Sequence, residues 1–249
     1  MRFEGKVVVI TGVGHRGQVG ASLAQAFADD GASVIAIDRT PANVEARAAE
    51  LRDAGHSALA FPCDLTDAAQ VDAVARAIAS SHNGRIDALV NTAGGFAMTG
   101  PVAESDPAAW QRQFDINLTT AYLTTRALLP LLRPTRGAIV YFASAAALPG
   151  ARTKRMAAYA AAKSGVVTLM RTVAEEERDA GVRANAVAPT AIRTATNMES
   201  MGDTVRYVER DEVARVVTFL CSDAASAVTG QVVELSGMRE AGSGKRNGS

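Results

Sequence analysis

Lys6-Val7-Val8-Val9-Ile10-Thr11 runs straight into Gly12-Val13-Gly14-His15-Arg16-Gly17-Gln18-Val19-Gly20 and then into the amphipathic segment from Ala21 to Asp30. A β-branched run, a glycine-rich turn and a helical period, in that order, open a βαβ unit. Glycines let the backbone bend sharply and approach a pyrophosphate, whose charge is stabilised by the free N–H groups and dipole of the following helix. A loop that only joins a strand to a helix has the same composition, so this stretch alone leaves both readings open.

The pattern repeats outward. Runs rich in Val and Ile at Lys6 to Thr11, Ser33 to Asp38, Ser57 to Pro62, Ala88 to Asn91, Ala138 to Ser144, Arg183 to Ala188 and Gln231 to Leu235 alternate with alanine-rich stretches of helical period. Strands buried on both faces read as continuous apolar runs, and the helices between them are crossovers. The expected fold is therefore α/β: a Rossmann-type, doubly wound, seven-stranded and mainly parallel sheet with helices on both faces. Gly31, Gly55, Gly84 and Gly181 each fall just past a helical segment, where a left-handed cap favours glycine. No repeat or linker divides the chain, and residues 1–241 are expected to form one domain. The tail 242–249 has too few apolar groups to offset the entropy of ordering it and is expected to be disordered.

The 249 residues are 48% hydrophobic and 21% charged, with 26 basic and 26 acidic side chains. This composition argues against a disordered or fibrous chain, and no apolar run approaches the ~20 residues of a membrane span. Balanced charge removes the bulk electrostatic reason to expect nucleic acid or an anionic membrane as partner, leaving a small molecule. Cys63 and Cys221 read as small buried hydrophobes rather than as a disulfide or metal site. No secretory signal is visible ahead of the first strand, and a reducing cytoplasm is the expected compartment.

Tyr159 and Lys163 are four residues apart in a helical stretch, on one face and within reach of each other. A phenol with an ordinary pKa of ~10 must shift about three units to exchange protons near neutrality, which takes roughly 4 kcal/mol of preference for the phenolate. An ammonium ~5 Å away at an effective dielectric of ~20 supplies about 3 kcal/mol. Tyr141 and Tyr207 have Ala145 and Asp211 four residues on, and Tyr122 has Arg126, too firmly protonated to relay protons. Ser144, at the C-terminal end of the fifth strand candidate, can hydrogen-bond a substrate oxygen. Asp38 ends the second strand, where a carboxylate accepts hydrogen bonds from both adenine-ribose hydroxyls and repels a 2′-phosphate. Two like charges ~4 Å apart at a dielectric of ~20 repel by about 4 kcal/mol, offset in part by Arg39 beside it. NAD(H) is the expected cofactor, with NADP(H) the second option.

On these residues the chain resembles the short-chain dehydrogenase/reductase family, whose usual loop is Thr-Gly-x-x-x-Gly-x-Gly. Matching Val19-Gly20 to the final x-Gly makes this loop two residues longer and puts Gln18 at a glycine position, a spacing similar to the family's divergent enoyl reductases. The resemblance implies that Gly12, Gly14, Gln18 and Val19 hold the dinucleotide and that Asp64-Leu65 contacts adenine. It places Asn91-Thr92-Ala93-Gly94 beside the ribose, and Pro189, Ile192 and Thr194 in the turn that meets the carboxamide through backbone. It also implies a tetrad: Asn117 in Phe114-Asp115-Ile116-Asn117-Leu118, Ser144 in Phe142-Ala143-Ser144, and Tyr159 with Lys163. In that scheme Ser144 orients the carbonyl and Tyr159 protonates its oxygen as hydride arrives. Lys163 holds the ribose and lowers the tyrosine pKa, and Asn117 anchors a relay water. A homotetramer or homodimer, formed through the helices containing Asn117 and Tyr159 and the C-terminal strand, is implied too. For Asp64 a helix N-terminal carboxylate is an adequate second role, and His15 and Arg16 either serve the loop or face solvent.

The departures from the family pattern fall mostly on the substrate side. The segment between Ser144 and Tyr159 is about two residues longer than usual and carries Arg152, Lys154 and Arg155, which either lie in solvent or meet an anionic substrate. Thr190 follows Pro189 where the family has glycine, the stretch from Ala195 to Arg210 is short for a substrate lid, and Glu234-Leu235-Ser236-Gly237-Met238 replaces a more common Val-Asp-Gly-Gly. A short lid implies an open pocket or one completed by a neighbouring subunit. Phe96, Leu148, Met156, Ile192, Met198 and Met201 are candidate pocket walls or core residues. The expected function is NAD(P)-dependent interconversion of a secondary alcohol and a ketone, with 3-oxoacyl thioesters among the candidates. The alternative is a non-catalytic dinucleotide-binding sensor or scaffold.

Overall fold

The computed structural model describes residues 1–202 and 205–237; Met238 and the tail 242–249 lie outside them. The first strand sets up the layers. In β1 (Val7–Thr11), Val8 and Ile10 point to one face and Val9 to the other, all fully buried, so the sheet must be covered on both sides. There follow α1 (Val19–Asp29), β2 (Ser33–Asp38), α2 (Pro41–Asp53), β3 (Ala58–Pro62), α3 (Ala68–Ser81), β4 (Ala88–Asn91), α4 (Pro107–Phe114), α5 (Thr120–Leu132) and β5 (Ala138–Phe142). The order continues with α6 (Ala157–Glu176), β6 (Arg183–Pro189), β7 (Ala191–Ile192), α7 (Ala195–Met201), β8 (Tyr207–Val208), α8 (Arg210–Cys221) and β9 (Val232–Leu235). One apolar layer joins Leu23 and Phe27 of α1 to Val44 of α2 and Val217 of α8. The other joins Ile78 of α3 to Leu128 of α5 and Met170 of α6.

Strand order is β3-β2-β1-β4-β5-β6-β9, and every pairing in this sheet is parallel, so the sheet is wholly rather than mainly parallel. The order reverses between β1 and β4. This is the topological switch point, and ligands of such sheets bind beyond the C-terminal strand ends there. The expected strands agree with the observed ones to within two residues, the largest difference being at Ser144, which lies beyond β5 as the N-cap of a 3-10 turn. The four expected helix-capping glycines have φ from +70° to +94°. Among the described residues, no helix is long and apolar enough to cross a membrane.

The helices flanking the site are tied at their far ends. Arg133, just after α5, donates from Nε to Glu177 Oε2 at 2.8 Å and from Nη2 to Oε1 at 2.7 Å, and Glu177 is the C-cap of α6. Glu177 is buried while Arg133 is half exposed, so the pair is worth less than a fully buried one. The guanidinium bonds hold the Glu177 carboxyl below its ordinary 4.5, against the opposing effect of burial. A carboxyl whose folded pKa is depressed stabilises above the unfolded value and loses that contribution as pH falls through the folded one. Glu177→Gln is therefore expected to destabilise the protein by about 1–2 kcal/mol at pH 7. Thermal melts of wild type and variant should converge as the buffer is taken below the ordinary glutamate range; a gap unchanged in acid would show that charge is not its source.

Candidate active site

Thr11 joins the two strands of the switch point. Its hydroxyl accepts from the N–H groups of Thr92 and Ala93, each at 3.1 Å, and the Thr92 hydroxyl returns a bond to the Thr11 carbonyl. A side chain at Gly12, whose φ is +75°, would crowd Thr92 and Ala93, and one at Gly20 would collide with the Gly12 carbonyl. The loop therefore folds back on itself with backbone facing the end of β4. α1 then starts at Val19 with no side-chain bond from its N-cap, Gln18, and no acidic residue in its first turn. Its free N–H groups suit an anionic ligand.

Asp38 completes this half of the site. A Cβ on Gly14 would lie 2.5 and 2.6 Å from the two Asp38 carboxylate oxygens, so the absence of a side chain there is what lets β2 present its carboxylate against the loop. Oδ1 of Asp38 accepts the Thr40 N–H at 3.1 Å. Uncapped helix N-terminus, close glycine backbone and carboxylate at the end of β2 together fit a dinucleotide: Gly12, Gly14 and the start of α1 would meet its phosphates and Asp38 its adenosine ribose.

The second half lies beyond β4 and β5. Asn117 sits in a π-helical turn, Asp115–Thr119, between α4 and α5, a local widening that recurs at functional sites. Its Oδ1 accepts from Gly95 N–H at 3.1 Å, while Nδ2 donates to the carbonyls of Gly95 and Gln113 at 2.9 and 3.0 Å. Lys163, in the second turn of α6, is buried and donates to the Phe142 carbonyl at 2.8 Å. A Cβ on Gly94 would lie 2.6 Å from Asn117 Oδ1 and 3.3 Å from Lys163 Nζ, so bare backbone passes beside both. Tyr159 lies one helical turn before Lys163, its ring centroid 5.9 Å from Nζ, and the Phe96 ring meets it edge-on at 5.0 Å. Ser144 accepts the Ala146 N–H at 3.2 Å and hydrogen-bonds the Tyr159 hydroxyl. Asn117, Ser144, Tyr159 and Lys163 are thus brought to one place.

Their electrostatics differ from the simple expectation. Burial pushes the Tyr159 hydroxyl above the ordinary tyrosine value, and the bond with Ser144 only partly opposes it. Burial also brings the Lys163 ammonium down to about 8. A charge in the same low-dielectric pocket does not make the phenol acidic when its own desolvation weighs against the phenolate. In the protein alone the phenol is held protonated.

Other expected cofactor contacts are placed less simply. Asn91 turns its side chain into the core, where Oδ1 accepts from Thr124 at 2.7 Å and Nδ2 donates to Thr125 at 3.2 Å. Val19 and Leu65 are buried in the two apolar layers, leaving backbone as their means of contact. Asp64 accepts from the N–H and hydroxyl of Thr66, which lower its pKa, with a smaller pull from the exposed Arg39. It is not a helix cap: Asp67 caps α3, accepting from Ala69 and Gln70. His15 and Arg16 are exposed, and Arg16 pairs with Glu50. Pro189 ends β6, and Thr190 needs no left-handed backbone: its N–H bonds the Leu235 carbonyl at 2.9 Å. Thr194 donates its N–H to the Ile192 carbonyl, and its hydroxyl oxygen accepts the Asn197 N–H in capping α7, which leaves the hydroxyl proton as its remaining donor.

A cleft of about 560 Å³ opens over Ser144 and Tyr159. Phe96, Leu148, Met156 and Met201 line it, whereas Ile192 packs on the core and Met198 does not reach it. All three loop cations are exposed, and of them Arg152 lines the cleft while Lys154 and Arg155 do not. Asn197 and Arg206 also line it, and sequence reading missed both. They lie in the short, aperiodic stretch after Thr194, where nothing local marks the facing. Among the described residues, no three His, Cys, Asp or Glu side chains are placed to hold a metal ion.

Residues 12–237 match the family model described as Enoyl-(Acyl carrier protein) reductase. The chain is similar to D-threitol dehydrogenase of Mycolicibacterium smegmatis, at 36% identity over 95% of this chain and 93% of that protein. It is similar also to a 3-oxoacyl-acyl-carrier-protein reductase of Thermotoga maritima, at 32% identity over 95% and 98%. A crystal structure of a short chain dehydrogenase from Mycobacterium smegmatis superposes with a TM-score of 0.83 at 33% identity, covering 96% of this chain and 95% of that one. Fold, site and relatives agree: the chain belongs to the short-chain dehydrogenase/reductase family and is an NAD(P)-dependent oxidoreductase of alcohols and carbonyls.

Proposed function

We propose that Tyr159 is the general acid and base of this enzyme, Ser144 the group that orients the substrate oxygen, Lys163 the ribose-binding cation and Asn117 the anchor of a proton relay. The observation that carries this reading is the Tyr159 hydroxyl bonded to Ser144 in the wall of the cleft, one helical turn from the buried Lys163. The nicotinamide, when bound, supplies or accepts the hydride. Ser144 and Tyr159 together meet the carbonyl oxygen, and the phenol, held protonated by its burial, gives up its proton as negative charge develops there. In alcohol oxidation Tyr159 must first lose its proton, and as the phenolate it accepts the proton of the alcohol while Ser144 holds the same oxygen. Lys163 has three donors and only Phe142 as a described acceptor, leaving two for ribose hydroxyls. Asn117 holds the backbone of Gly95 in place beside it.

The substrate in this reading is a secondary alcohol or ketone of modest size and partly apolar character, 3-oxoacyl thioesters included. Asp38 favours NAD(H) over NADP(H), the exposed Arg39 softening the discrimination. Residues 1–241 act as one dinucleotide-binding and catalytic domain. The partly exposed Trp110 on α4 and Tyr122 on α5 support a homodimer or homotetramer built on those helices. Two buried unpaired cysteines suit a reducing cytoplasm.

Tyr159→Phe is expected to lower turnover of a ketone panel by about 10²–10⁴-fold while leaving NADH binding, followed by fluorescence titration, within a few-fold of wild type. Equal turnover in the variant would remove Tyr159 from the chemistry, and cofactor binding by wild type without any turnover would favour the sensor. Asp38→Ser is expected to shift the NAD+ to NADP+ preference at least about tenfold toward NADP+, against an upper bound of about 4 kcal/mol for the lost repulsion. An unchanged ratio of kcat/KM values would show that the carboxylate does not face the adenosine ribose.

A further inference from the structure

The substrate cleft carries two arginines that the proposed chemistry does not use. Arg152 lies in the lengthened segment between Ser144 and Tyr159, just past Gly150, where the chain turns with φ +82°. The exposed Arg206 also lines the cleft, immediately before β8. Its place is fixed by its neighbour: Tyr207 is buried, pairs with Ala191 across the two-stranded sheet, and donates its hydroxyl to the carbonyls of Gly202 at 2.7 Å and Asn197 at 3.1 Å. Neither arginine has an acidic partner among the described residues. Among the described residues the one acid lining the cleft, Glu234, is exposed and accepts the Ser236 hydroxyl at 3.2 Å, so that the described lining carries positive charge in excess.

We infer that the substrate bears a carboxylate, held by Arg152 and Arg206 while its alcohol or carbonyl oxygen meets Ser144 and Tyr159. This rests on the reading of Ser144 and Tyr159 above and narrows its substrate class to hydroxy and oxo acids. A guanidinium fork matches the two oxygens of a carboxylate and, because it never titrates, holds the anion throughout the working pH range. Phe96, Leu148 and Met156, which line the same cleft as the catalytic hydroxyls and Arg152, suit a hydrocarbon spacer between the two polar ends of such a molecule. Glu234 sets a limit: one carboxylate neutralises the excess, whereas a dianion would meet repulsion from it.

The test has a catalytic and a binding arm. Hydroxy acids of about five to ten carbons, hydroxylated next to the chain end, are compared as substrates with their primary amides, which fill the cleft without the charge. Octanoate and octanamide are titrated calorimetrically into the same protein. The acids are expected to exceed the amides in kcat/KM by at least about tenfold at their best length, and octanoate to bind correspondingly tighter than octanamide. Arg152→Gln and Arg206→Gln should each lower the acid-to-amide ratio, the double variant should bring it near one, and the Lys variants should retain part of it. Acids and amides used alike, or a preference that survives in the double variant, overturns the inference. Oxidation of amides with no arginine-dependent binding of octanoate overturns it while leaving the catalytic reading intact. Arginine-dependent octanoate binding with no alcohol oxidised does the reverse.

Discussion

The Lys163 ammonium is buried with the Phe142 carbonyl as its one described acceptor, 2.8 Å away. An isolated charge in such a place costs several kcal/mol, and burial accordingly brings its pKa down to about 8. The surroundings are shaped by that cost. Phe142 is the last residue of β5, so the acceptor is a strand end whose carbonyl has left the ladder. Gly94 keeps Cβ atoms away from Nζ, and the π turn rotates Asn117 inward so that its amide satisfies Gly95 beside the same space.

This constraint also explains why the phenol is not acidic by itself. One ammonium near a tyrosine in water-like surroundings would favour phenolate, but the pocket that strengthens their attraction also desolvates the phenol. Burial is the larger effect on Tyr159, with the Ser144 bond the second. The resting state therefore stores the proton on the hydroxyl that faces the cleft. Such a state is ready to donate, and removing the proton needs further positive charge at the site.

The alternating apolar runs were enough to place every strand of the main sheet, because a strand buried on both faces leaves a signal in composition that no surface segment imitates. Tyr159 and Lys163 were legible because a spacing of four on a helix is a statement about geometry. What was not legible depends on which of two neighbouring groups a helix end selects. Asp64 reads by sequence as a helix N-terminal carboxylate, but the structure uses Asp67 because α3 begins at Ala68. That the Thr194 hydroxyl oxygen caps α7 was likewise not marked locally. Ile192 and Met198 have the composition of a pocket wall, but a strand of two residues and a helix of seven carry too little periodicity to fix which way each side chain faces. Arg206 escaped for the same reason.

Two of the departures from the family pattern meet in space. Lengthening the glycine loop puts Gln18 where a glycine is usual, and its side chain does not cap α1; Nε2 reaches across to Thr196 Oγ1 at 2.8 Å. Gly17, the loop's other left-handed glycine, sits within 4 Å of Ala195 and Arg210 measured from where its Cβ would be. The helix that begins at Ala195 is short, and its far end is tied through Asn197 and Gly202 to Tyr207. A longer loop thus supports a shorter lid, one from the phosphate side and Tyr207 from the substrate side. Because the uncapped first turn of α1 is adjacent to Gln18, an anion drawn to those N–H groups and the hydrogen bond to Thr196 act on the same residue. The phosphate loop and the helix that begins at Ala195 are therefore bridged by a single side chain, which a loop of the usual length with glycine at that position would lack.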